Sequence, residues 1–255
     1  MSRCIPFSEV DRLLNDSGDL PLCLADTSFL IAISDEDHVF HEEAQFLCEK
    51  FAEREMRLFV SVTARSEFID YHRRVIVTET LMDMLAPTSK WRISSAVRDV
   101  LKSQRGWIDN QARSDNEPYL SDSRIKLCKQ AFLPKTQSGH IGWTELCREY
   151  LVGKLFTAWE SVSSTLDLNY IDMRADDVKE LFRKELHWDS MYRLAEESAL
   201  GSQDAMILNL FDCSILPFIV TMDFDLAYGA LQSTEGKVAL IPDNLYHNRF
   251  KKLKF

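Results

Sequence analysis

The sequence predicts an α/β fold in which helices flank a central parallel sheet, and three observations support this prediction. Short apolar runs occur near both ends of the 255-residue chain. Segments with helical periodicity separate these runs. The middle of the chain has long amphipathic stretches and lacks the alternation that is typical of strands. We therefore expect an α/β domain formed by residues 1–87 and 191–255, with a helical insertion at 88–190.

The first part of the chain alternates between strand and helix. The run LPLCLA at 20–25 predicts a strand, because it is short, apolar and followed by polar residues. From about His38 to Glu55, apolar residues recur at helical spacing. The run RLFVSV predicts a second strand, and the segment that begins at Thr63 has helical periodicity until Pro87 interrupts it.

The same alternation returns near the end of the chain. SQDAMILNLFDCS predicts a helix that begins near Ser202, whereas LPFIVTM at 216–222 and GKVALIP at 236–242 predict two strands. Strands that are joined through helices favour a parallel sheet. Such sheets bind ligands outside the carboxyl ends of their strands, so polar residues that follow a strand are candidate site residues.

The middle of the chain contains two long amphipathic segments, at 143–166 and 176–200. Gly and Pro are sparse within them, which favours helices. The segments QARSDNEPYLSDS and LPKTQSGHIG are rich in turn-forming residues and predict loops. We therefore interpret this region as helical.

The formal net charge of −10 argues against a protein that is coated with nucleic acid, but the charge is unevenly distributed. Residues 89–135 contain ten Lys or Arg and five Asp or Glu, and four basic residues with no acid follow Asp243. Such stretches are usually solvated surface. They also leave room for a phosphate backbone to dock.

The composition predicts a cytoplasmic protein with no membrane partner. No apolar run approaches the roughly 20 residues that a membrane helix needs. The segment MSRCIPFSEVDRLLNDSGDLP lacks the apolar centre of a signal peptide. The six cysteines are widely spaced and include no C-x-x-C pair, so we expect reduced thiols.

Four acidic residues lie at strand ends or near helix starts, where functional side chains are often found. Asp26 interrupts the apolar run LCLADTSFLIA, Glu67 follows the second strand, Asp204 opens a helix and Asp223 follows the strand FIVTM. A buried carboxylate without a partner is costly, so it either pairs or binds a cation. Three of these acids also have a local explanation: Asp204 as a helix-start acid, Asp223 as a turn residue and Glu67 as a helix-surface residue.

Five pieces of the sequence, taken in order, resemble the PIN-domain nucleases. They are LADTSFLIA, HVFHEEAQFL, VSVTARSEF, GSQDAMILNL and PFIVTMDFDLA, and they cover roughly residues 21–70 and 196–245. The resemblance implies a PIN-like three-layer domain and a metal-dependent endonuclease that usually acts on RNA. It also implies RNA or single-stranded nucleic acid as substrate. Because the family includes toxins of bacterial toxin–antitoxin pairs, an antitoxin protein is a further partner to consider, as is a homodimer, although the large insertion is unusual for the simple toxins.

The resemblance assigns catalytic and metal-binding roles to Asp26, Glu67, Asp204 and Asp223, which match the acidic positions of the family. The expected cofactor is Mg²⁺ or Mn²⁺, since these ions prefer oxygen ligands and are held through a few carboxylates together with substrate phosphate. Three hydroxyls and one further acid are candidate supporting residues: Thr27, Ser28, Thr221 and Asp225. The hydroxyls have an alternative interpretation as turn and capping residues.

Other interpretations of the same residues remain open. His38 and His41 have a spacing compatible with metal binding, but no third nitrogen or sulfur ligand accompanies them, which favours a solvated or packed pair. FIVTMDFDLAYG also fits the nucleophile loop of haloacid-dehalogenase-type phosphatases, but only thirty residues follow Asp225, too few for that family. The main alternative function is a non-catalytic PIN-like module that binds RNA or a protein partner. A structural α/β protein with coincidental acids is the remaining alternative.

Overall fold

The α/β prediction is confirmed by a computed structural model of the chain. The structure describes residues 3–16, 21–114, 118–171, 180–233 and 236–251. The described residues form a six-stranded sheet in which every pairing between strands is parallel. The chain divides into two compact units, an α/β unit formed by Met1–Phe68 and Glu160–Phe255 and a second unit formed by Ile69–Trp159.

The strands of the sheet are short and largely buried. In chain order they are β1 (Arg3–Pro6), β2 (Leu22–Ala25), β3 (Arg57–Ser61), β4 (Asn169–Ile171), β5 (Phe218–Val220) and β6 (Val238–Ile241). Every residue of β2, β5 and β6 is buried, which is typical of parallel strands that are covered on both faces.

The α-helices among the described residues connect and cover these strands in the α/β unit, and those of the second unit surround a core of their own. They are α1 (Val10–Asp16), α2 (Thr27–Ser34), α3 (His41–Glu53), α4 (Val62–Asp83), α5 (Ser95–Ala112), α6 (Asp122–Ala131), α7 (Trp143–Tyr150), α8 (Lys154–Thr165), α9 (Trp188–Ser198), α10 (Ser202–Cys213), α11 (Phe224–Ser233) and α12 (Asp243–Leu245). None of the helices in the described part of the chain combines the length and the apolar character needed to cross a bilayer.

The order of the strands across the sheet is β1-β6-β5-β2-β3-β4, and it reverses direction between β2 and β5. From β2 the chain adds β3 and then β4 on one side, and it later adds β5 and β6 on the other side. Right-handed crossovers that run in opposite directions put their helices on opposite faces of the sheet. This order is consistent with the predicted three layers. It also creates a switch point between β2 and β5, the place where open parallel sheets bind ligands.

The run LCLADTSFLIA forms a junction between a strand and a helix. β2 ends at Ala25, and Asp26 is the N-cap of α2, with an extended backbone at φ −82° and ψ 161°. The Asp26 side chain accepts a hydrogen bond from the backbone N–H of Ser28 at 3.3 Å. The apolar residues that follow, including Phe29 and Leu30, are buried on α2. The polar residues therefore mark the start of a helix at a strand end.

Most of the predicted elements of the α/β unit are confirmed. The runs LPLCLA, RLFVSV, LPFIVTM and GKVALIP contain β2, β3, β5 and β6. The helical segments predicted near His38, Thr63 and Ser202 correspond to α3, α4 and α10.

The boundaries of the second unit differ from those of the predicted insertion at 88–190. The unit begins at Ile69 within the long helix α4, and the chain from Glu160 onward belongs to the α/β unit. Inside the predicted insertion, β4 pairs in parallel with β3, with Asn169 opposite Phe59. The segment NYI is too short to show strand alternation. The helix predicted at 176–200 begins only at Trp188 in the described chain, and residues 176–179 lie outside the described residues.

The second unit has its own apolar core. Its described part contains α5, α6 and α7, together with parts of α4 and α8. The buried side chains of this core include Leu81, Val97, Leu101, Leu120, Ile125, Cys128 and Leu146. By sequence, this unit has 14 Lys or Arg and 10 Asp or Glu. The excess of negative charge therefore belongs to the α/β unit.

A buried lysine secures the end of helix α10. The Nζ of Lys237, just before β6, donates to the backbone carbonyl oxygens of Phe211 and Ser214, the latter at 2.8 Å. The last carbonyls of a helix have no partners within the helix, so the ammonium group satisfies them. Burial lowers the pKa of Lys237 to about 8. This contact fixes α10 at the end opposite to Asp204.

Candidate functional site

Two of the candidate acids lie on either side of the switch point in the sheet. Asp26 follows β2 directly, and its backbone N–H donates to the carbonyl of Val220, the last residue of β5, at 3.0 Å. Asp223 lies three residues beyond β5, just before α11. Parallel pairing of β2 with β5 aligns Ala25 with Val220, so both strand ends reach the same edge. The predicted position at the carboxyl ends of the strands is therefore observed for this pair.

The carboxylate of Asp26 is buried and held by two hydroxyl groups. Its relative exposure is 3%, which matches its position between two buried strands. Ser28 Oγ donates to Asp26 Oδ2 at 2.6 Å, and Thr221 Oγ1 donates to the same oxygen at 2.8 Å. Both hydroxyls thus fix one oxygen of the carboxylate and set its orientation at the end of the strand.

Backbone groups hold these two hydroxyls in place. The N–H of Met222 donates to Ser28 Oγ at 2.9 Å, and the N–H of Asp223 donates to Thr221 Oγ1 at 2.9 Å. Each hydroxyl therefore accepts from the backbone after β5 and donates to Asp26. The network ties the start of α2 to the segment that carries Asp223. This connection assigns Ser28 and Thr221 to the positioning of Asp26, beyond a simple capping role.

Thr27 makes the corresponding contact to Glu67. Its Oγ1 donates to Glu67 Oε2 at 2.5 Å and lies 3.4 Å from the carbonyl oxygen of Ala64, so the first residue of α2 is linked to the second turn of α4. Thr27 is 8% exposed, whereas Glu67 is only partly buried. The three neighbouring residues 26–28 thus organise both the β2 and the β3 sides of the site.

Asp204 completes the group from the first turn of α10. Its pKa is raised to about 7, first by burial and then by repulsion from other carboxylates, which are Asp26, Asp223, Glu67 and Asp225. A carboxylate feels this repulsion only when the other acids lie nearby. The four acids that the sequence singled out are therefore near enough for the charges of the other three to act on Asp204, as does the charge of Asp225, which is exposed on α11.

The pKa values of two further acids are shifted in the same direction. Burial raises the pKa of Asp26, its hydrogen bonds to Ser28 and Thr221 oppose this, and the charge of Asp223 adds to it. Burial also raises the pKa of Glu67, the hydrogen bond from Thr27 opposes this, and Asp26 and Asp223 add to it. The charges that act on these carboxylates come from other carboxylates. The site is therefore a concentration of negative charge.

The donor set has the chemistry that Mg²⁺ and Mn²⁺ prefer, since its ligands would all be carboxylate oxygens. A cation would also relieve the mutual repulsion that raises the pKa of Asp204. In the conformation described, however, no group of three or more His, Cys, Asp or Glu among the described residues is arranged so that it could hold a metal ion. The residue types therefore fit a divalent cation, but in this conformation the described carboxylates are not arranged to coordinate one.

The two histidines with a spacing compatible with metal binding have structural partners. His41 Nδ1 forms a hydrogen bond with the carbonyl oxygen of Ala32 at 2.7 Å. His38 Nδ1 accepts from the N–H of Phe40 at 3.2 Å, and the two rings of these residues pack with centroids 5.9 Å apart. These contacts agree with the interpretation of His38 and His41 as a packed pair.

The charge repulsion at Asp204 leads to a testable prediction about stability. Its pKa in the folded protein, about 7, lies above the value of about 4 for an unperturbed aspartate. Between these values the folded state keeps a proton that the unfolded state has lost, so the metal-free protein should lose stability as pH rises through this window. Asp204→Asn should therefore raise the melting temperature of metal-free protein at pH 8 and have a much smaller effect near pH 4.

Scanning calorimetry of wild type and Asp204→Asn in EDTA at both pH values would measure this effect. At this chain length, each kcal/mol corresponds to a shift of about 2–4 °C. Asp37→Asn is a suitable control, because Asp37 is an exposed acid in the turn after α2. An equal melting temperature for wild type and Asp204→Asn at pH 8 would show that the carboxylates do not repel one another.

The fold and the site together define a class: an α/β protein with a carboxylate cluster at the switch point of a parallel sheet. Comparison with known proteins does not assign the chain to a family within this class. No protein-family model matches the sequence, and no curated protein matches it. The PIN-domain resemblance accordingly stays a prediction from motifs, and the function is inferred from the residues of the site.

Proposed function

We propose that this protein is a metal-dependent endonuclease that hydrolyses phosphodiester bonds in RNA or single-stranded nucleic acid. The observation that carries the proposal is the convergence of acids at the switch point of the sheet, where hydrogen bonds tie Asp26 to the segment that carries Asp223 and tie the next residue, Thr27, to Glu67. The raised pKa of Asp204 is consistent with this grouping. A fold tolerates such a concentration of like charge when a cation compensates for it. The order of the motifs along the chain supports the same function through the PIN-domain resemblance.

In this proposal, the four acids hold Mg²⁺ or Mn²⁺. When bound, the ion supplies a nucleophilic water and neutralises charge that grows on the phosphate during in-line attack. Asp26 is suited to be the central ligand, because it is the most buried of the four and has the best-defined orientation. Asp204 and Glu67 approach from helices α10 and α4, and Asp223 approaches from the segment after β5.

The hydroxyl groups act on the carboxylates and have no direct part in the chemistry. Ser28 and Thr221 fix one oxygen of Asp26, and Thr27 fixes one oxygen of Glu67. Groups that orient metal ligands typically change metal affinity or activity by about 10–100-fold when they are removed. Asp225 is an auxiliary acid that adds negative charge near Asp204.

The biological setting of this activity is a separate part of the proposal. A toxin role, with an antitoxin protein as partner, and a homodimer follow from the PIN-domain resemblance alone. A second candidate function, a non-catalytic PIN-like module that binds RNA or a protein, is favoured by one observation. Among the described residues, no three carboxylates are arranged so that they could coordinate one metal ion.

A cleavage assay separates these two functions. Purified protein is incubated with labelled single-stranded RNA, single-stranded DNA and duplexes, with EDTA, Mg²⁺ or Mn²⁺. We expect internal cleavage of single strands only when Mg²⁺ or Mn²⁺ is present. Retention of labelled RNA without cleavage under every metal condition would instead support the non-catalytic module.

A further inference from the structure

A cavity of about 360 Å³ lies within the α/β unit and has no role in the network described above. Its walls come from the end of β3, the start of α4, the residues just before and within α9, and the middle of α10. The volume falls at the lower end of the range for small-molecule sites, roughly 300–1,000 Å³. The cavity is therefore large enough for a ligand of the size of a nucleobase or nucleoside.

Helix α4 connects this cavity to the carboxylates. Thr63 lines the cavity, and Glu67 lies four residues further along α4, on the same face and about 6 Å along the helix axis. On α10, Met206 lines the cavity and Asp204 lies two residues earlier, on a different face of the helix. Helix α4 thus carries Glu67 and part of the cavity wall on one face.

Exposed apolar side chains surround the cavity. Trp188 and Leu186 line it and are 62% and 49% exposed, and Val62 is 47% exposed. Tyr192 is 54% exposed, and its ring lies beside that of Trp188, with centroids 6.3 Å apart and an angle of 32° between the ring planes. Contiguous exposed apolar surface of this kind marks a binding site more often than isolated apolar residues do. Two open aromatic rings are a platform on which a flat ligand can stack.

Polar groups in the wall indicate which flat ligand fits. Ser61 accepts from the backbone N–H of Ala64, and the Asn209 amide donates to the carbonyl oxygen of His187, so these two groups hold the wall together. The His187 side chain is exposed and adds an imidazole to the same wall. A nucleobase has two apolar faces and an edge of hydrogen-bonding atoms, which matches a wall of aromatic and aliphatic groups beside an exposed imidazole. An aliphatic chain would match the apolar part of this wall alone.

We propose that this cavity binds one unpaired base of the nucleic acid, with Trp188 as its stacking partner. The location of the scissile phosphate at the neighbouring carboxylates rests on the proposed endonuclease function, whereas the binding of the base does not. A base within a duplex has its faces stacked and its edge paired, so it cannot enter such a cavity without leaving the helix. The preferred substrate is therefore a single strand or an unpaired loop.

Adenosine is the sharpest probe, because it carries a base without a phosphate and is not repelled by the acids. In EDTA, which prevents metal-dependent cleavage, addition of adenosine to ¹⁵N-labelled protein should shift the indole N–H signal of Trp188. The Trp188→Phe spectrum identifies that signal among those of the five tryptophans. In parallel, fluorescence anisotropy measures binding of a labelled eight-nucleotide single-stranded RNA in EDTA.

Three variants test the stacking role. Trp188→Ala should weaken binding of the eight-nucleotide RNA by about tenfold, within the range of about 5–150-fold that corresponds to losing one stacked base. Trp188→Phe keeps an aromatic face and should retain most of the affinity. Phe46→Ala is the matched control, since Phe46 is an exposed aromatic residue on α3, 42% exposed and outside the cavity wall.

The outcomes distinguish the base site from the nuclease function. A Trp188 signal that adenosine leaves unchanged, equal RNA binding by wild type and Trp188→Ala, or a response to an apolar peptide in place of adenosine would overturn the base site. If the protein cleaves RNA and adenosine fails to bind, only the base site is wrong. If adenosine binds at Trp188 and no cleavage occurs with either metal, the base site is supported and the endonuclease proposal fails.

Discussion

Asp26→Asn should abolish most of the hydrolysis of single-stranded RNA and leave the fold intact. The substitution keeps the size of a side chain that is 3% exposed, so it opens no cavity. It removes the negative charge from the centre of the site. We expect a fall in rate on the order of 10²–10³-fold, which is the usual cost of removing one electrostatic stabiliser of a transition state.

The fold should survive because Asp26 is an unfavourable place for a charge. Its pKa is raised by burial and by Asp223, so a neutral side chain avoids part of that cost. The amide oxygen can still accept a hydrogen bond from Ser28 or Thr221. Circular dichroism and the melting temperature of metal-free protein would check the fold, and both should be at least equal to those of wild type.

Asp37→Asn is again the matched control, since it removes an exposed acid from the turn after α2 and should cleave RNA at the wild-type rate. Both variants and the wild type are purified by the same procedure and assayed with the same RNA and Mn²⁺. Cleavage by Asp26→Asn at the wild-type rate would mean that the activity comes from a contaminant or from another site. Loss of cleavage in both variants would point to a general effect of charge.

Divalent cations should stabilise the wild-type protein strongly. A ligand that binds only the folded state at a concentration about 100 times its dissociation constant contributes about 2.7 kcal/mol. For a chain of this length, that corresponds to a rise in melting temperature of about 5–10 °C. The rise should be seen with Mn²⁺ and with Mg²⁺ at pH 8, and EDTA should reverse it together with any cleavage.

The physical reason for this large effect is the unfavourable environment of the carboxylates. Burial, and to a smaller extent the negative charges of four other acids, raise the pKa of Asp204 to about 7. A bound cation would attract these carboxylates and so offset their mutual repulsion. Calorimetry with and without metal measures the shift, and Asp26→Asn should lose most of it while Asp37→Asn keeps it. An unchanged melting temperature of the wild type in millimolar Mn²⁺ would contradict a metal site among these residues.

The strands beside the site could be predicted from the sequence because they are buried on both faces. Such strands appear as short apolar runs with polar residues at their ends, as in LPLCLA and LPFIVTM. The same feature located Asp26 and Asp223, since both follow these runs. Asp204 could be found because it opens an apolar helix. The order of the motifs then grouped residues that are almost 200 positions apart.

Other features depend on contacts that a sequence does not display. The partner of Thr27 could not be predicted, because a threonine that opens a helix can cap its own backbone or contact a distant glutamate. The switch point depends on the strand order, which the alternation of strands and helices leaves open. Lys237 could not be assigned to the interior, since lysine is mostly exposed in proteins. The start of the second unit has no mark in the sequence, because α4 continues across it without a break.

The position of β1 has a consequence for the synthesis of this chain. β1 pairs only at the edge beside β6, with Arg3 opposite Val238 and Pro6 opposite Ile241. β1 must therefore wait for β6, which is synthesised much later. At roughly 5–20 residues per second, that wait is about 12–50 s. During this time the nascent chain carries an apolar strand without its neighbour, so the sheet is completed at this edge only after β6 has been made.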